Sequence, residues 1–192
     1  MINWKRIGLK EYELPMAIGY DAEYIGHNGL PRGVALNRIE DIRNEFIMKR
    51  MEDGITGVDE EITSYVIDNH NSGVGLYIPD NTVIDEPIKL NFNMDGGNPM
   101  VIDHNIVVSS PNSRSTLVMD YSSEGEDDTF HGGITKIYAV ENSVVNIIKI
   151  QRMNDRSYNF DSNIAYIERG AVVNWISIEI GSAISASNST SI

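Results

Sequence analysis

The densest group of potential metal ligands is an acidic segment between residues 121 and 133. Its ligand-type side chains are Glu124, Glu126, Asp127, Asp128 and His131. Calcium loops place oxygen ligands at alternating positions around a sharp glycine turn, and the order here does not follow that pattern. We therefore interpret the segment as a solvated acidic surface loop that ends in a glycine turn at residues 132–133. It predicts no metal site.

The remaining histidines also fail to form a recognisable site. His27, His70 and His104 are far apart, and no pair has the i, i+4 spacing of a helical zinc site. His104 opens a strand and is expected to be a hydrogen-bonded structural residue. Motifs for a serine nucleophile, a phosphate-binding loop and a dinucleotide fold are all missing from the sequence. No catalytic residue is predicted, and the chain is not expected to be an enzyme.

Composition narrows the classes of function further. The chain has 192 residues and no cysteine, which excludes disulfides and thiolate ligands within it. Its 15 basic and 28 acidic residues give a net charge of −13, which argues against nucleic-acid binding and favours solubility or a basic partner protein. No apolar run reaches the roughly 20 residues of a membrane helix, so we expect no membrane partner. A cytoplasmic location is the expectation.

A repeat of nearly constant length organises the second half of the chain. Four strand–turn–strand units can be aligned on Asn81, Asn112, Asn142 and Gly170, at steps of 31, 30 and 28 residues. Such a period is typical of a right-handed parallel β-helix, whereas a β-sandwich does not require equal steps and a left-handed β-helix repeats every six residues. We therefore predict a mainly β solenoid whose turns contain a left-handed residue. Stacked asparagines, including Asn146, are expected to form a hydrogen-bonded ladder.

The first third of the chain has a different pattern. We predict an N-terminal arm and a helical pair over residues 1–73, followed by the β-helix core over residues 74–192. The first helix is expected to be capped by Asn37 and to end at Gly54, and the second to follow Thr56. The helices could cover the N-terminal end of the core. After Ile180 the sequence offers no convincing cap, so the core is predicted to be incomplete at its C-terminal end.

The strand units resemble the SufB/SufD family, the scaffold proteins of a cytoplasmic iron–sulfur cluster assembly system. The resemblance rests on the order and spacing of GLYIP at residues 75–79, HNIVV at 104–108, ENSVV at 141–145 and AVVNW at 171–175, and it ends with GSAI at 181–184. Four family-matched positions of unknown role are Gln151, Trp175, Gly181 and Ser182. Gln151 follows a predicted strand and could point into the end of the coil or into a channel.

The resemblance implies a right-handed β-helix that works with a SufC-like ABC ATPase and a paired SufB- or SufD-like scaffold. In the family, the ATPase-docking helices and the Cys and His residues implicated in cluster building lie in a C-terminal half that follows Ile192. The iron–sulfur cluster is therefore implied for the assembled complex, and no cofactor is assigned to this segment. The chain is expected to be a fragment, or a short form that covers its open end as a homodimer.

Three functions remain open from the sequence. The leading hypothesis is a non-catalytic scaffold in SUF-type cluster assembly. The alternative is a carbohydrate-active or surface β-helix, which needs two carboxylates about 5–10 Å apart in an open groove. Carboxylates expected to face outward, such as Asp120 and Glu179, are scattered along the strands. The third interpretation is a structural module without activity of its own.

Overall fold

Eleven strands and two short helices make up the part of the chain that the structure describes. The structure is a computed structural model and describes residues 12–26, 29–55 and 57–192. The strands are β1 (Ile25–Gly26), β2 (Ala35–Arg38), β3 (Val74–Ile78), β4 (Ile88–Met94), β5 (Met100–Ser109), β6 (Arg114–Ser123), β7 (Phe130–Ala139), β8 (Val144–Met153), β9 (Tyr158–Ile167), β10 (Val172–Gly181) and β11 (Ile184–Ser191). The helices are α1 (Glu45–Met51) and α2 (Glu60–Asn69), and a 3-10 turn spans Ile39–Asp41.

The strands form two sheets that enclose the core. Sheet A has the order β1-β4-β6-β8-β10, and sheet B has the order β11-β9-β7-β5-β3-β2. Among β3 to β11, every pairing is parallel and joins strands of successive coils, whereas β1 and β2 pair antiparallel with β4 and β3. The chain thus alternates between the two sheets, and each pair of consecutive strands completes one coil. The predicted parallel β-helix is confirmed, and connections between parallel strands are almost always right-handed.

The residues that defined the repeat occupy the same turn in successive coils. Asn81, Asn112, Asn142 and Gly170 have φ values of 56°, 58°, 58° and 71°. Asparagine and glycine tolerate this left-handed conformation better than other residues, which explains their recurrence. The Asn112 amide donates a hydrogen bond of 3.2 Å to Asn81. Between β8 and β10, Asn174 donates to Asn146 at 2.8 Å, so short asparagine ladders do form.

One half of the interior is a continuous apolar column. Side chains from both sheets fill it and are fully buried: Leu90, Leu117 and Ile147 from sheet A, and Leu76, Val107 and Ile137 from sheet B. Burying a side chain of this size contributes about 1.5–3 kcal/mol, so the column is a large stabilising term. No coil could bury these residues without its neighbours.

The N-terminal arm closes the first end of the coil. The ring of Tyr24 stacks on Phe92 at 4.8 Å, and Phe92 stacks on Tyr121 at 4.9 Å. The Tyr24 hydroxyl donates to the Gly73 carbonyl at 2.9 Å. The helices, by contrast, pack on the outer face of sheet B, where Ile47 of α1 is completely buried. The N-terminal arm therefore covers this end of the core, whereas the sequence predicted that the helices would cover it.

Both helices begin at a side-chain cap. The first starts at Glu45, because Asn44 accepts hydrogen bonds from the amides of Phe46 and Ile47. The predicted cap at Asn37 is wrong, since Ala35–Arg38 pairs antiparallel with β3. Asp59 caps the second helix, whereas the predicted start marker Thr56 lies outside the described residues. The domain boundary at residues 73/74 stays a prediction.

Two loop predictions are corrected by the strand boundaries. The acidic loop is limited to residues 124–129, and the glycine pair at 132–133 lies inside β7 rather than in a turn. The serine-rich tail forms β11, which pairs with β9 and extends sheet B. Within residues 12–26, 29–55 and 57–192, neither helix is long and apolar enough to cross a membrane.

Candidate functional site

The other half of the β-helix interior is polar and charged. Strand alternation turns Asp103, His131 and Asp161 of sheet B inward, opposite Tyr121 and Lys149 of sheet A. All five side chains are buried. Burying charge is costly unless each charged group meets an opposite charge and hydrogen-bond partners. This interior polar cluster is the candidate functional site.

Asp103 lies at the centre of the cluster. Its Oδ1 atom is 2.8 Å from Nε2 of His131, and its Oδ2 atom accepts a hydrogen bond of 2.7 Å from the Tyr121 hydroxyl. The Asn105 amide also donates to Oδ2. Burial would raise the pKa of Asp103, but His131, Lys149 and the Tyr121 hydrogen bond outweigh burial and hold that pKa below its ordinary value. Asp103 is therefore an ionised carboxylate inside the coil.

The Asp103 carboxylate raises the pKa of both His131 and Tyr121. Burial would lower the pKa of His131, but the nearby Asp103 and Asp161 carboxylates raise it above the ordinary value. Burial and the same two carboxylates raise the pKa of Tyr121, which keeps its hydroxyl protonated as a donor. The two rings are in contact, with centroids 4.1 Å apart.

A second ion pair lies one coil further along the axis. The Lys149 ammonium donates to Asp161 at 2.7 Å and to the Asn163 carbonyl oxygen at 2.9 Å. Asn163 donates in turn to the other oxygen of Asp161 at 3.0 Å. The ammonium also lies 5.7 Å from the ring centroids of Tyr121 and Trp175, within the range of cation–π attraction.

Gly133 makes room for both carboxylates. A Cβ atom at this position would lie 2.9 Å from Asp103, 2.9 Å from Asp161 and 2.8 Å from His131. Any larger residue would therefore push into the cluster. The two acids face one glycine, but they are buried in the coil and paired with His131 and Lys149. This arrangement differs from the open groove with paired acids that a glycoside hydrolase requires.

The four family-matched positions divide into two places. Gln151 points inward on β8, in register with Tyr121 of the polar cluster. Trp175 points inward on β10, in register with Ile147 of the apolar column. Gln151 is buried and donates to the Ile180 carbonyl at 3.2 Å, while its Oε1 atom has no hydrogen-bond partner among the described residues. Gly181 and Ser182 form the left-handed turn between β10 and β11, with φ values of 79° and 70°.

The turn explains why residue 181 is a glycine. A Cβ atom there would meet the Met153 carbonyl oxygen at 1.9 Å, a distance that no side chain can accept. Gly181 and Ser182 therefore have a geometric role at the end of the last full coil. The structure brings Gln151 and Trp175 to the cluster but leaves this turn outside it.

Sequence reasoning missed the central residues of the cluster. The sequence pattern places His131 in the acidic loop, but His131 faces inward on β7 and is 1% exposed. A signal was present in the repeat: Asp103, Gly133 and Asp161 occupy equivalent positions of successive coils. Glu179 was predicted to face outward, but it is the register partner of Gln151 on the inward face of β10. Outward-facing Asp120 forms an ion pair with Arg152 at 2.8 Å.

The outer face of sheet B buries two further titratable groups. Lys136 is fully buried beneath the end of α1, where it donates to the Met51 carbonyl at 3.0 Å and to the Asp53 carbonyl. Burial lowers its pKa, and Asp53 offsets part of that effect.

His104 is also buried, and its Nε2 atom has no hydrogen-bond partner among the described residues. Burial, helped by Lys136 and His70, lowers the pKa of His104 to about 3. The predicted hydrogen-bonded role of His104 does not hold for that nitrogen.

A groove of about 1000 Å³ lies elsewhere, between α1 and the outer face of sheet B. Its walls include Tyr77, Tyr138 and Tyr166, and Tyr138 stacks on Tyr166 with centroids 4.8 Å apart. Arg50 lies over the Tyr138 ring, and Asp53 accepts the Tyr138 hydroxyl hydrogen bond at 2.7 Å. None of the candidate site residues lines this groove, so volume alone does not identify the site.

The described part of the chain contains no group of side chains arranged as a metal site. Among residues 12–26, 29–55 and 57–192, no three histidine or carboxylate side chains are grouped to hold a metal ion. In the acidic loop, Asp128 pairs with Arg156 at 2.6 Å across neighbouring turns.

Comparison with protein-family models gives one match. Residues 92–192 match the family described as SUF system FeS cluster assembly, SufBD core domain. The matched region contains β5 to β11 and therefore all the residues of the interior polar cluster. Searches of curated proteins and of solved structures gave no match.

Proposed function

Because the chain belongs to the SufBD core family of the SUF iron–sulfur cluster assembly system, we propose that it is a non-catalytic scaffold subunit of that system. The observation that carries the proposal is the family match over residues 92–192, in a chain that folds as the parallel β-helix which the family resemblance implies. A β-helix suits a scaffold, because stacked coils form a long rigid body with extended surfaces for partner proteins.

The chemistry of the cluster supports a role without catalysis. Its two acids are buried and are paired with Lys149 and His131, whereas a catalytic group must reach a substrate. This arrangement gives less support to a carbohydrate-active enzyme, for which an accessible carboxylate pair is needed. The cluster is better suited to fixing the shape of the coil.

The proposed partners are a SufC-like ABC ATPase and a paired SufB- or SufD-like scaffold, in the cytoplasm. The test is co-expression of the tagged chain with both partners from the same organism, followed by affinity purification. Both partners are expected to co-purify with the tagged chain, and an untagged chain serves as the background control. Absence of both partners, with this chain and with any longer product of the same gene, would remove the proposal.

The iron–sulfur cluster is proposed to be the cargo of the assembled complex and not a cofactor of this segment. The absence of cysteine supports this assignment, because thiolates are the usual ligands of such clusters. Anaerobic reconstitution with iron and sulfide should give no cluster absorbance on the isolated chain. A stoichiometric cluster on the isolated chain would contradict the assignment.

We also propose that the last coil pairs with a second copy of the chain. Strands β10 and β11 end their sheets, and exposed strand edges readily pair with other chains. Ser189 faces inward at this end, in register with Asn163, whereas Thr190 faces outward. A Ser189→Lys variant should be monomeric where the wild type is dimeric in sedimentation equilibrium, and Thr190→Lys should remain dimeric. A monomeric wild type would reject the pairing.

A further inference from the structure

Glu179 is the exposed end of a chain of hydrogen bonds that enters the β-helix. Its Oε2 atom accepts a hydrogen bond of 2.8 Å from the Ser185 hydroxyl. Ser185 accepts in turn from the Asn159 amide nitrogen at 2.8 Å, and the Asn159 amide oxygen is 2.5 Å from Nδ1 of His131. Three consecutive contacts therefore join an exposed carboxylate to a buried imidazole.

The direction of these hydrogen bonds is fixed by the carboxylate. An ionised carboxylate only accepts, so Ser185 must donate its single proton to Glu179. Ser185 can then only accept from Asn159, which places the amide nitrogen toward Ser185. The amide oxygen is left facing His131.

His131 therefore faces an oxygen acceptor at each ring nitrogen. Nδ1 meets the Asn159 amide oxygen, and Nε2 meets the Asp103 carboxylate at 2.8 Å. A neutral imidazole has one donor and one acceptor, whereas the imidazolium has two donors. We infer that His131 is a buried imidazolium whose second proton is held in place, through Asn159 and Ser185, by the Glu179 carboxylate at the exposed end of the chain.

The other charges around His131 agree with this state. Asp103 on β5 and Asp161 on β9 attract the positive charge, and both carboxylates raise the pKa of His131. Lys149 on β8 opposes it, but its ammonium is occupied by Asp161 at 2.7 Å. Tyr121 on β6 contacts the imidazole ring and donates its own proton to Asp103.

The arrangement is a switch between the end of the coil and its interior. When Glu179 loses its charge, the carboxyl group can donate to Ser185, and Ser185 can then donate to the Asn159 amide oxygen. The Asn159 amide turns over and presents N–H to Nδ1 of His131. The imidazole must then lose one proton to avoid two facing donors. Loss of the negative charge at position 179 therefore allows the hydrogen bonds to reverse and the charge inside the β-helix to change.

The experiment measures the protonation state of His131 in the full chain by two-bond ¹H–¹⁵N NMR of the histidine rings. His131→Gln assigns the signal. In the wild type, both ring nitrogens should remain protonated at pH 7 and above. Glu179→Gln keeps the size of the side chain but can donate to Ser185, so the apparent pKa of His131 should fall by about one unit or more.

The matched control is Glu168→Gln, because Glu168 is an exposed carboxylate on the turn of the same coil and is not part of the hydrogen-bond chain. It should leave the His131 titration unchanged. Ser185→Ala breaks the chain without changing any charge and should lower the pKa in the same direction as Glu179→Gln. A neutral His131 at pH 7 in the wild type, or equal titrations in all variants, would overturn the inference. Neither result depends on binding of a SUF partner, so the proposed scaffold function is tested separately.

Discussion

The β-helix interior and the layer between sheet B and the helices both bury charged side chains, but they compensate them differently. Inside the coil, the charge of Asp103 is met by the side chains of His131 and Tyr121. On the outer face, Lys136 instead donates to backbone carbonyls at the end of α1. His104 beside it has no partner for Nε2 among the described residues.

Because their surroundings differ, the two buried histidines His131 and His104 change stability in opposite directions as the pH changes. His131 has a raised pKa, so its stabilising contribution is complete below about pH 6.5 and is lost as the pH rises through its folded-state pKa. His104 has a pKa lowered to about 3, so its contribution is complete above about pH 6.5 and is lost as the pH falls. The direction of the pH dependence is therefore set by the groups around each histidine and not by the residue type alone.

The largest expected effect comes from removing the central acid of the interior. Asp103→Asn leaves the His131 charge without its partner and weakens the Tyr121 hydrogen bond. Breaking one side of a buried ion pair typically costs about 3–5 kcal/mol. We expect a loss of that size in the free energy of unfolding, measured by urea denaturation at pH 7.

Two control variants distinguish the effect of burying an acid from the effect of leaving a buried charge without its partner. Asp128→Asn removes an exposed partner of Arg156 and should leave the denaturation midpoint unchanged. The double variant Asp103→Leu/His131→Leu removes both charges and should lose less stability than Asp103→Asn alone. If the single and double variants were equally unstable, packing rather than charge compensation would dominate the interior.

The second prediction concerns the outer face. His104→Phe keeps an aromatic ring against His70 but removes the titrating group. Between about pH 6.5 and 4.5, protonation in the unfolded state should cost the wild type up to about 3 kcal/mol, at about 1.4 kcal/mol per pH unit. The variant should escape this part of the loss. Urea midpoints measured at pH 7, 5.5 and 4.5 test it, and parallel curves for the two proteins would contradict it.

The β-helix was predictable because its signal is repeated and local. Asn81, Asn112 and Asn142 lie in a turn that needs a residue with positive φ. The same type of residue therefore recurs at this turn in successive coils, and the recurrence is visible in the sequence. The N-terminal part was less predictable. Asn37 has the pattern of a helix cap, but its segment pairs with β3 because a strand edge was available there, which is a tertiary effect.

The interior polar cluster was hidden for a different reason. Its members are separated by a whole coil in sequence, and polar residues on a strand normally indicate the solvent face. His131 follows a run of acids, so local composition assigned it to the surface. Only the register between coils brings it to Asp103. By contrast, the sequence allowed Gln151 to point into the end of the coil or into a channel, and its side chain lies on the inward face of β8.

A smaller effect is expected from the buried lysine of the outer layer. Lys136→Met fills similar space but leaves the Met51 and Asp53 carbonyls without their donor. Losing these bonds should cost about 1–3 kcal/mol. The loss should be local, with faster amide hydrogen exchange in α1 than in β7.

The control for this variant is Lys49→Met, which removes the same charge from the exposed side of α1. It should leave both stability and amide exchange nearly unchanged. Equal exchange rates in α1 for the wild type and Lys136→Met would show that the apolar contacts of Ile47, rather than the lysine, hold the helix on the sheet.

The smallest effect separates turn geometry from side-chain contacts. Asn112 has φ of 58°, and its amide donates to Asn81. Asn112→Gly keeps the favourable backbone geometry and loses only an exposed hydrogen bond, so stability should change little. Asn112→Ala places a β-carbon in a left-handed conformation and should cost about 1–2 kcal/mol. If glycine and alanine proved equally destabilising in urea denaturation, the asparagine ladder and not the backbone conformation would explain why asparagine recurs in these turns.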